Sequence, residues 1–183
     1  MNTFTKKNNR EHSTGGFTLI ESIVAIFILL IAIVMPMAVV ARALFAANYA
    51  QDQITAVYLA QEGVELIRNA RDNNVLSGSA SWDQGSLSSC YGVNGCYVDA
   101  VHDNNMVNVC GGACVNVKED TGGAGPSWYG YSSDSSWVDT KYIRTIKLSK
   151  ISDYEIKVNS TVTWATRTTD RVVLVEDVLT NWP

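Results

Sequence analysis

The chain has 183 residues, of which 46% are hydrophobic and 17% are charged, and its formal net charge is −4. This length suits one modest domain with an extended element. Residues 1–16 hold three basic residues and one acidic residue, so the remainder carries −6. Binding of nucleic acid by charge alone is therefore disfavoured, because it depends on neutralisation of phosphates by Lys and Arg.

A short basic segment precedes a long apolar run. Lys6, Lys7 and Arg10 lie before residues 23–41, which hold 19 residues without a charge. These 19 residues would form roughly 28 Å of helix, about the thickness of a hydrocarbon core. The basic residues before the run predict a cytoplasmic N-terminus, with the C-terminal part outside. Pro36 is expected to kink or loosen the helix.

Residues 16–21 at the start of this run read GFTLIE, which resembles the processing site of type IV prepilins and pseudopilins. The resemblance implies that a prepilin peptidase cuts after Gly16, so that residues 1–16 are a cleaved leader, and methylates the new amine of Phe17. It also implies that Glu21, the fifth residue of the processed chain, meets the amine of Phe17 on a neighbouring subunit. Such an ion pair is favourable in a low-dielectric bundle only if both charges are matched.

Two other interpretations of the apolar run compete with this one. A removable secretory signal could be cut at residues 41–43, but such signals have a shorter apolar region, and Glu21 interrupts its start. A plain single-span anchor explains the length of the run but neither Gly16 nor Glu21. The prepilin interpretation accounts for all of these features together.

Beyond the apolar run, the helical pattern continues to about residue 74. We therefore predict one helix over 17–74, with 23–41 in a membrane or filament core and 42–74 packed on a globular head. Gly63 predicts a close approach, and Asn73-Asn74 followed by Ser77-Gly78 is expected to end the helix. The helix face predicted to pack on the sheet consists of residues at helical spacing, most of them apolar: Ile54, Val57, Tyr58, Gln61, Val64, Ile67 and Arg71.

Residues 75–140 are rich in Gly and Ser and predict a long irregular region with short strands at 96–101 and 105–109. Residues 141–183 contain three alternating runs, 141–148, 154–164 and 171–179, which predict an antiparallel meander. The expected fold class is α+β: a long N-terminal helix packed on an antiparallel sheet, as the pilin resemblance also implies.

All four cysteines lie in the segment placed outside the cell, where disulfides persist. Four cysteines allow three pairings. The local pairing of Cys90 with Cys96 and of Cys110 with Cys114 is favoured, because each bond closes a small loop that contains glycine. A zinc site is the alternative, although zinc-binding cysteine pairs usually have tighter and more regular spacing.

No nucleophile, base and orienting group come together in the sequence, so we expect no enzyme and no cofactor. His102 lies in a polar loop with Asp99 and residues 103–105, whose oxygens could hold calcium. Turn-rich acidic loops more often hold only water, so we expect no metal.

The sequence thus predicts a structural subunit of an extracellular type IV pilus-like filament, lying in the membrane lipid as a single-pass protein before assembly. Its expected partners are identical or related pilin subunits, the prepilin peptidase and inner-membrane assembly machinery. A minor pilin or pseudopilin that primes or tips a filament is one alternative, in which the exposed aromatics of 77–140 would serve adhesion. A monomeric surface binding module held by a simple anchor is the other.

Overall fold

The computed structural model describes residues 16–78, 81–101, 107–123, 128–166 and 169–181. The chain divides into two compact units, Met1–Asn48 and Tyr49–Pro183. One helix, α1 (Leu19–Leu76), contributes to both units. In the first unit, α1 is the one described element of secondary structure. In the second unit, α1 forms one of two layers.

Helix α1 continues through Pro36, so the expected loosening there does not end the helix. At its C-terminus the Ser77 amide donates to the Asn73 carbonyl at 3.0 Å. Gly78 follows with φ of +62°, a left-handed conformation that glycine adopts at little cost. The helix therefore ends within two residues of the predicted boundary, at the predicted Ser-Gly stop.

A seven-stranded antiparallel sheet forms the second layer of the larger unit. Its strands are β1 (Cys96–Val98), β2 (Val107–Val109), β3 (Asn116–Asp120), β4 (Tyr129–Gly130), β5 (Trp137–Ser152), β6 (Glu155–Ala165) and β7 (Asp170–Thr180). Strands β5, β6 and β7 form the predicted meander. On its other edge β5 pairs with β1 at Ile146 and with β3 between residues 137 and 143. The α+β class is confirmed.

The core lies between the sheet and the part of α1 that belongs to the larger unit. Strand β6 shows the predicted alternation, because its inward side chains are all buried: Ile156, Val158, Ser160, Val162 and Trp164. They pack in two clusters with α1 residues such as Val64, Ile67, Ala56 and Leu59. The predicted packing of this helix segment on the sheet is confirmed.

The helix face that packs on the sheet differs from the predicted stripe. Val64 and Ile67 are buried as expected, but Ile54 and Tyr58 are 56% and 67% exposed. Gln61 is exposed as well. Four of the seven buried positions are instead Ala or Gly, and the other three are larger apolar residues: Ala56, Leu59, Ala60, Gly63, Val64, Ile67 and Ala70. The physical reason is close approach: a Cβ built on Gly63 would lie 2.7 Å from the Ser160 hydroxyl.

The region predicted as largely irregular, 75–140, contains more regular structure than its composition indicates. A 3-10 helix covers Gly85–Tyr91, and β1 and β2 lie within the predicted strand ranges. Strands β3 and β4 lie outside the predicted strands. Their sequences lack an apolar alternation, and pairing of β3 with β5 holds them in the sheet.

Candidate processing and assembly site

The predicted cleavage site lies just before α1. Phe17 is 78% exposed, and a Cβ built on Gly16 would meet no described atom within 4 Å. Neither residue is in helical conformation. The peptide bond between Gly16 and Phe17 is therefore accessible from solvent, and side chains at either position make no packing contribution within the described part of the chain.

Thr18 starts the helix. Its Oγ1 accepts a hydrogen bond from the backbone amide of Glu21 at 3.3 Å, and its carbonyl accepts one from the Ser22 amide at 3.2 Å. The spacing of Thr18 and Glu21 is that of a capping box, in which a hydroxyl satisfies an amide that has no helical partner. This role of Thr18 was missed from the sequence, although the T-x-x-E spacing was the signal that could have found it.

Glu21 occupies the first turn of α1, where the helix dipole favours a negative charge. It is exposed, and none of the described basic residues forms an ion pair with it. An apolar surface surrounds it, since every residue from 17 to 48 is exposed. An acid in such a surface needs a partner once the surface is covered by lipid or protein.

The apolar segment is long and apolar enough to cross a membrane. Its most apolar window of 18 residues has a mean hydropathy of 3.2, and none of that window is buried in the chain's own fold. By length and composition alone it would serve as an anchor, as a filament core or as a signal. Glu21 and the GFTLIE sequence are the features that separate these uses.

Both cysteine pairs form disulfides, Cys90 with Cys96 and Cys110 with Cys114. This is the local pairing that the sequence favoured, and it leaves none of the four thiols for zinc. The first disulfide is fully buried in the core against Leu87 and Ile146. The second ties the segment between β2 and β3 into a short loop.

A buried arginine joins the helix to the sheet. Arg144 on β5 is 1% exposed; its Nη1 donates to the Leu59 carbonyl at 3.0 Å and to Glu62 Oε2 at 2.6 Å. Its Nη2 donates to the Val98 carbonyl on β1 at 2.5 Å. Arg144 was not predicted from the sequence, although it points to the same side of β5 as Tyr142 and Ile146. The role of this cluster is positional, because both Nη atoms hold backbone or side-chain acceptors of α1 or β1, whereas Nε has no hydrogen-bond partner within the described structure.

Tyrosines that line the core have raised pKa values. Burial raises the pKa of Tyr142 to about 12, and the neighbouring charge of Asp52 adds to the effect. Burial raises the pKa of Tyr91 to about 12 in the same way, with Asp83 as the second cause. Both phenols therefore stay protonated at neutral pH and act as core side chains with a polar end.

Of the calcium candidates in the polar loop, Asp99 alone lies within the described residues. Asp99 is buried, and its Oδ1 accepts a hydrogen bond from the Val101 amide at 3.0 Å. Residues 102–106, which include His102, lie outside the described residues. Among the residues that the structure does describe, no group of three or more His, Cys, Asp or Glu side chains is placed to hold a metal ion.

In comparisons with known proteins, no family model, no curated protein and no solved structure matches the chain. The long apolar N-terminal helix, the antiparallel sheet and the disulfides are together consistent with a pilin-like fold.

Proposed function

We propose that this protein is a subunit of a type IV pilus-like filament, which a prepilin peptidase cuts after Gly16 and which assembles through the apolar part of α1. The observation that carries the proposal is the position of Glu21. It is a charged residue without a described partner, one turn from the predicted new N-terminus, at the start of a fully exposed apolar helix. A neighbouring copy supplies both the apolar cover and the amine of Phe17.

Filament assembly explains why the apolar helix carries an acid at all. A single-span anchor gives this carboxylate no counter-charge beyond the helix dipole, and burying it without a charged partner costs several kcal/mol. In a bundle of copies, each carboxylate meets one terminal amine, and only the correct stagger pairs the two charges. Glu21 would thus select the register of the assembly.

The first test is the intact mass and N-terminal sequence of the protein from its own host. A chain that begins at Phe17 with one methyl group on its amine supports the proposal. A chain that begins near Leu44 indicates a secreted protein, and an unprocessed chain indicates a plain anchor. Either result would refute the proposed processing.

The second test separates helix capping from ion pairing. Glu21→Gln keeps a side chain that suits the capping box but removes the charge. We expect this variant to be cleaved normally and to give few filaments. Glu65→Gln, on the exposed part of the same helix, is the matched control and should assemble normally. Wild-type filament yield from Glu21→Gln would remove the assembly role of the charge.

Imaging of labelled protein then distinguishes the kinds of subunit. Continuous filaments built of this chain indicate a major pilin, and sparse labelling at filament tips indicates a minor pilin or pseudopilin. Diffuse membrane labelling would contradict the filament proposal.

A further inference from the structure

A cleft of about 610 Å³ opens on the larger unit. One wall is α1 around Tyr58 and Glu62, and the other is built from the end of β3, the start of β4 and the start of β5. Its volume is in the range of sites for small ligands. The processing and assembly site does not involve this cleft.

Aromatic side chains dominate the described lining of the cleft. Tyr58 and Trp128 are 67% and 64% exposed, whereas Tyr129 and Trp137 are half-buried. Trp137 is held in place by packing on Gly130, where an added Cβ would lie 2.9 Å from its ring. The Trp128 carbonyl accepts a hydrogen bond from the Asp120 amide at 2.9 Å, which fixes the backbone at the rim. Four rings thus face one space from backbone positions that the sheet and helix determine.

The charged side chains in the described lining are all acidic. Glu62 and Asp120 are its charged members, and the described lining contains no Lys or Arg. Glu62 is paired with Arg144, but Asp120 has no described basic partner. Asp120 Oδ1 accepts from the Gly122 amide at 2.9 Å, which fixes the carboxylate without neutralising it. An anionic ligand is disfavoured here, and a positive one is favoured.

The lining also selects among positive ligands. A hard metal ion needs several oxygen ligands close together, and the described residues contain no such cluster. Aromatic faces, in contrast, attract an organic ammonium through the ring quadrupole and cover its methyl groups. The same unit already places a guanidinium on a ring, since Arg144 Cζ lies 5.7 Å from the Tyr131 centroid. We propose that the cleft bounded by Tyr58, Trp128, Trp137 and Asp120 binds a small organic ligand through a methylated ammonium group.

The test uses the full chain in a neutral polyoxyethylene detergent, which carries neither choline nor sugar head groups. Choline is the probe, and 3,3-dimethylbutan-1-ol, its neutral isostere of the same shape, is the control ligand. Titration calorimetry and tryptophan fluorescence should show saturable choline binding at millimolar concentrations. The isostere should bind about fivefold to thirtyfold more weakly, as expected for the loss of a cation–π contact.

Variants then locate the site. Trp128→Ala should abolish measurable binding, and Asp120→Asn should weaken it at least about fivefold while keeping the hydrogen bond from Gly122. Tyr154→Ala is the matched control, because Tyr154 is 67% exposed, close to the 64% of Trp128, but lies on the turn between β5 and β6. It should bind choline like the wild type.

Several results would overturn the proposal. Equal affinity for choline and its isostere would mean that the cleft is merely apolar. Saturable binding of glucose or galactose without choline binding would assign it to neutral sugars. No saturable choline binding, or binding that Tyr154→Ala reduces as much as Trp128→Ala, would reject the site. None of these outcomes depends on filament assembly, so the two proposals stand or fall separately.

Discussion

Gly63→Ala tests how closely α1 approaches the sheet. In an exposed helix this substitution stabilises a protein by about 1 kcal/mol, because glycine is the poorer helix former. Here the new Cβ would lie 2.7 Å from Ser160 Oγ and 3.1 Å from Ile146 Cδ1. The first distance is roughly 0.8 Å shorter than a favourable carbon contact. Ser160 is fully buried, so its hydroxyl, the helix or β6 must shift to make room.

The two effects oppose each other. Overpacking of a core costs about 1–3 kcal/mol, and the gain in helix propensity returns about 1 kcal/mol. We therefore expect Gly63→Ala to lower the free energy of unfolding by up to about 2 kcal/mol. The assay is denaturant unfolding of the full chain in a neutral detergent, followed by tryptophan fluorescence. Trp82 and Trp164 report on the core, since both are less than one-tenth exposed.

Two controls isolate the contact with Ser160. The pair Gln61→Gly and Gln61→Ala measures helix propensity alone at an exposed position of the same helix. Ser160→Ala removes the atom nearest to the new Cβ, and its hydroxyl has no hydrogen-bond partner within the described structure. In the Ser160→Ala background, the loss of unfolding free energy caused by Gly63→Ala should be smaller by at least about 1 kcal/mol. If Gly63→Ala raises the free energy of unfolding by as much as the difference between Gln61→Ala and Gln61→Gly, the close approach is refuted.

Three further predictions concern the core. Arg144→Met should lower the free energy of unfolding by about 2–4 kcal/mol, because it removes the three hydrogen bonds of a buried guanidinium and the ion pair with Glu62, whereas Glu62→Gln should cost about 1 kcal/mol. Urea unfolding of both variants checks this order, and equal losses would contradict it. The pKa of Tyr91 is raised, so the folded state keeps a phenol proton that the unfolded state loses near pH 10. The contribution of protonated Tyr91 to the free energy of unfolding is therefore complete below about pH 10 and is lost as the pH rises to about 12. Unfolding at about pH 8 and about pH 11 should show a smaller alkaline loss for Tyr91→Phe than for the wild type, and identical losses would exclude Tyr91 as a cause. Replacement of Cys90 and Cys96 by Ala should lower the free energy of unfolding by about 2 kcal/mol, because the disulfide closes only a short loop. Unchanged denaturant unfolding would show that this bond adds no stability.

Strand positions were largely readable from the sequence, but the packing face of the helix was not. Strand β6 alternates between apolar and polar residues, so its inward side chains were predictable. On α1, large apolar side chains such as Ile54 and Tyr58 suggested the inward face, yet both are exposed. A helix that lies this close to a sheet selects small residues, and Ala60 and Gly63 give little hydrophobic signal.

The candidate site was predictable to a different extent in its two parts. Residues 16–21 form a local motif, so Gly16, Phe17 and Glu21 could be singled out without any knowledge of the fold. The aromatic cleft could not, because Tyr58 lies on α1 while Trp128 and Trp137 lie far along the chain. The antiparallel pairing of β3 with both β4 and β5 brings Trp128 and Trp137 together, and the packing of α1 on the sheet adds Tyr58.

The position of the disulfides has a mechanical consequence. All four cysteines lie between residues 90 and 114, so no covalent cross-link joins α1 to the sheet. A pulling force on the N-terminal end of α1 would be carried into the larger unit by side-chain packing and by the hydrogen bonds of Arg144. A load along the helix axis must shear these contacts together, whereas a load across the axis peels them one turn at a time. The larger unit would therefore resist tension along its helix far better than a sideways pull of the same size.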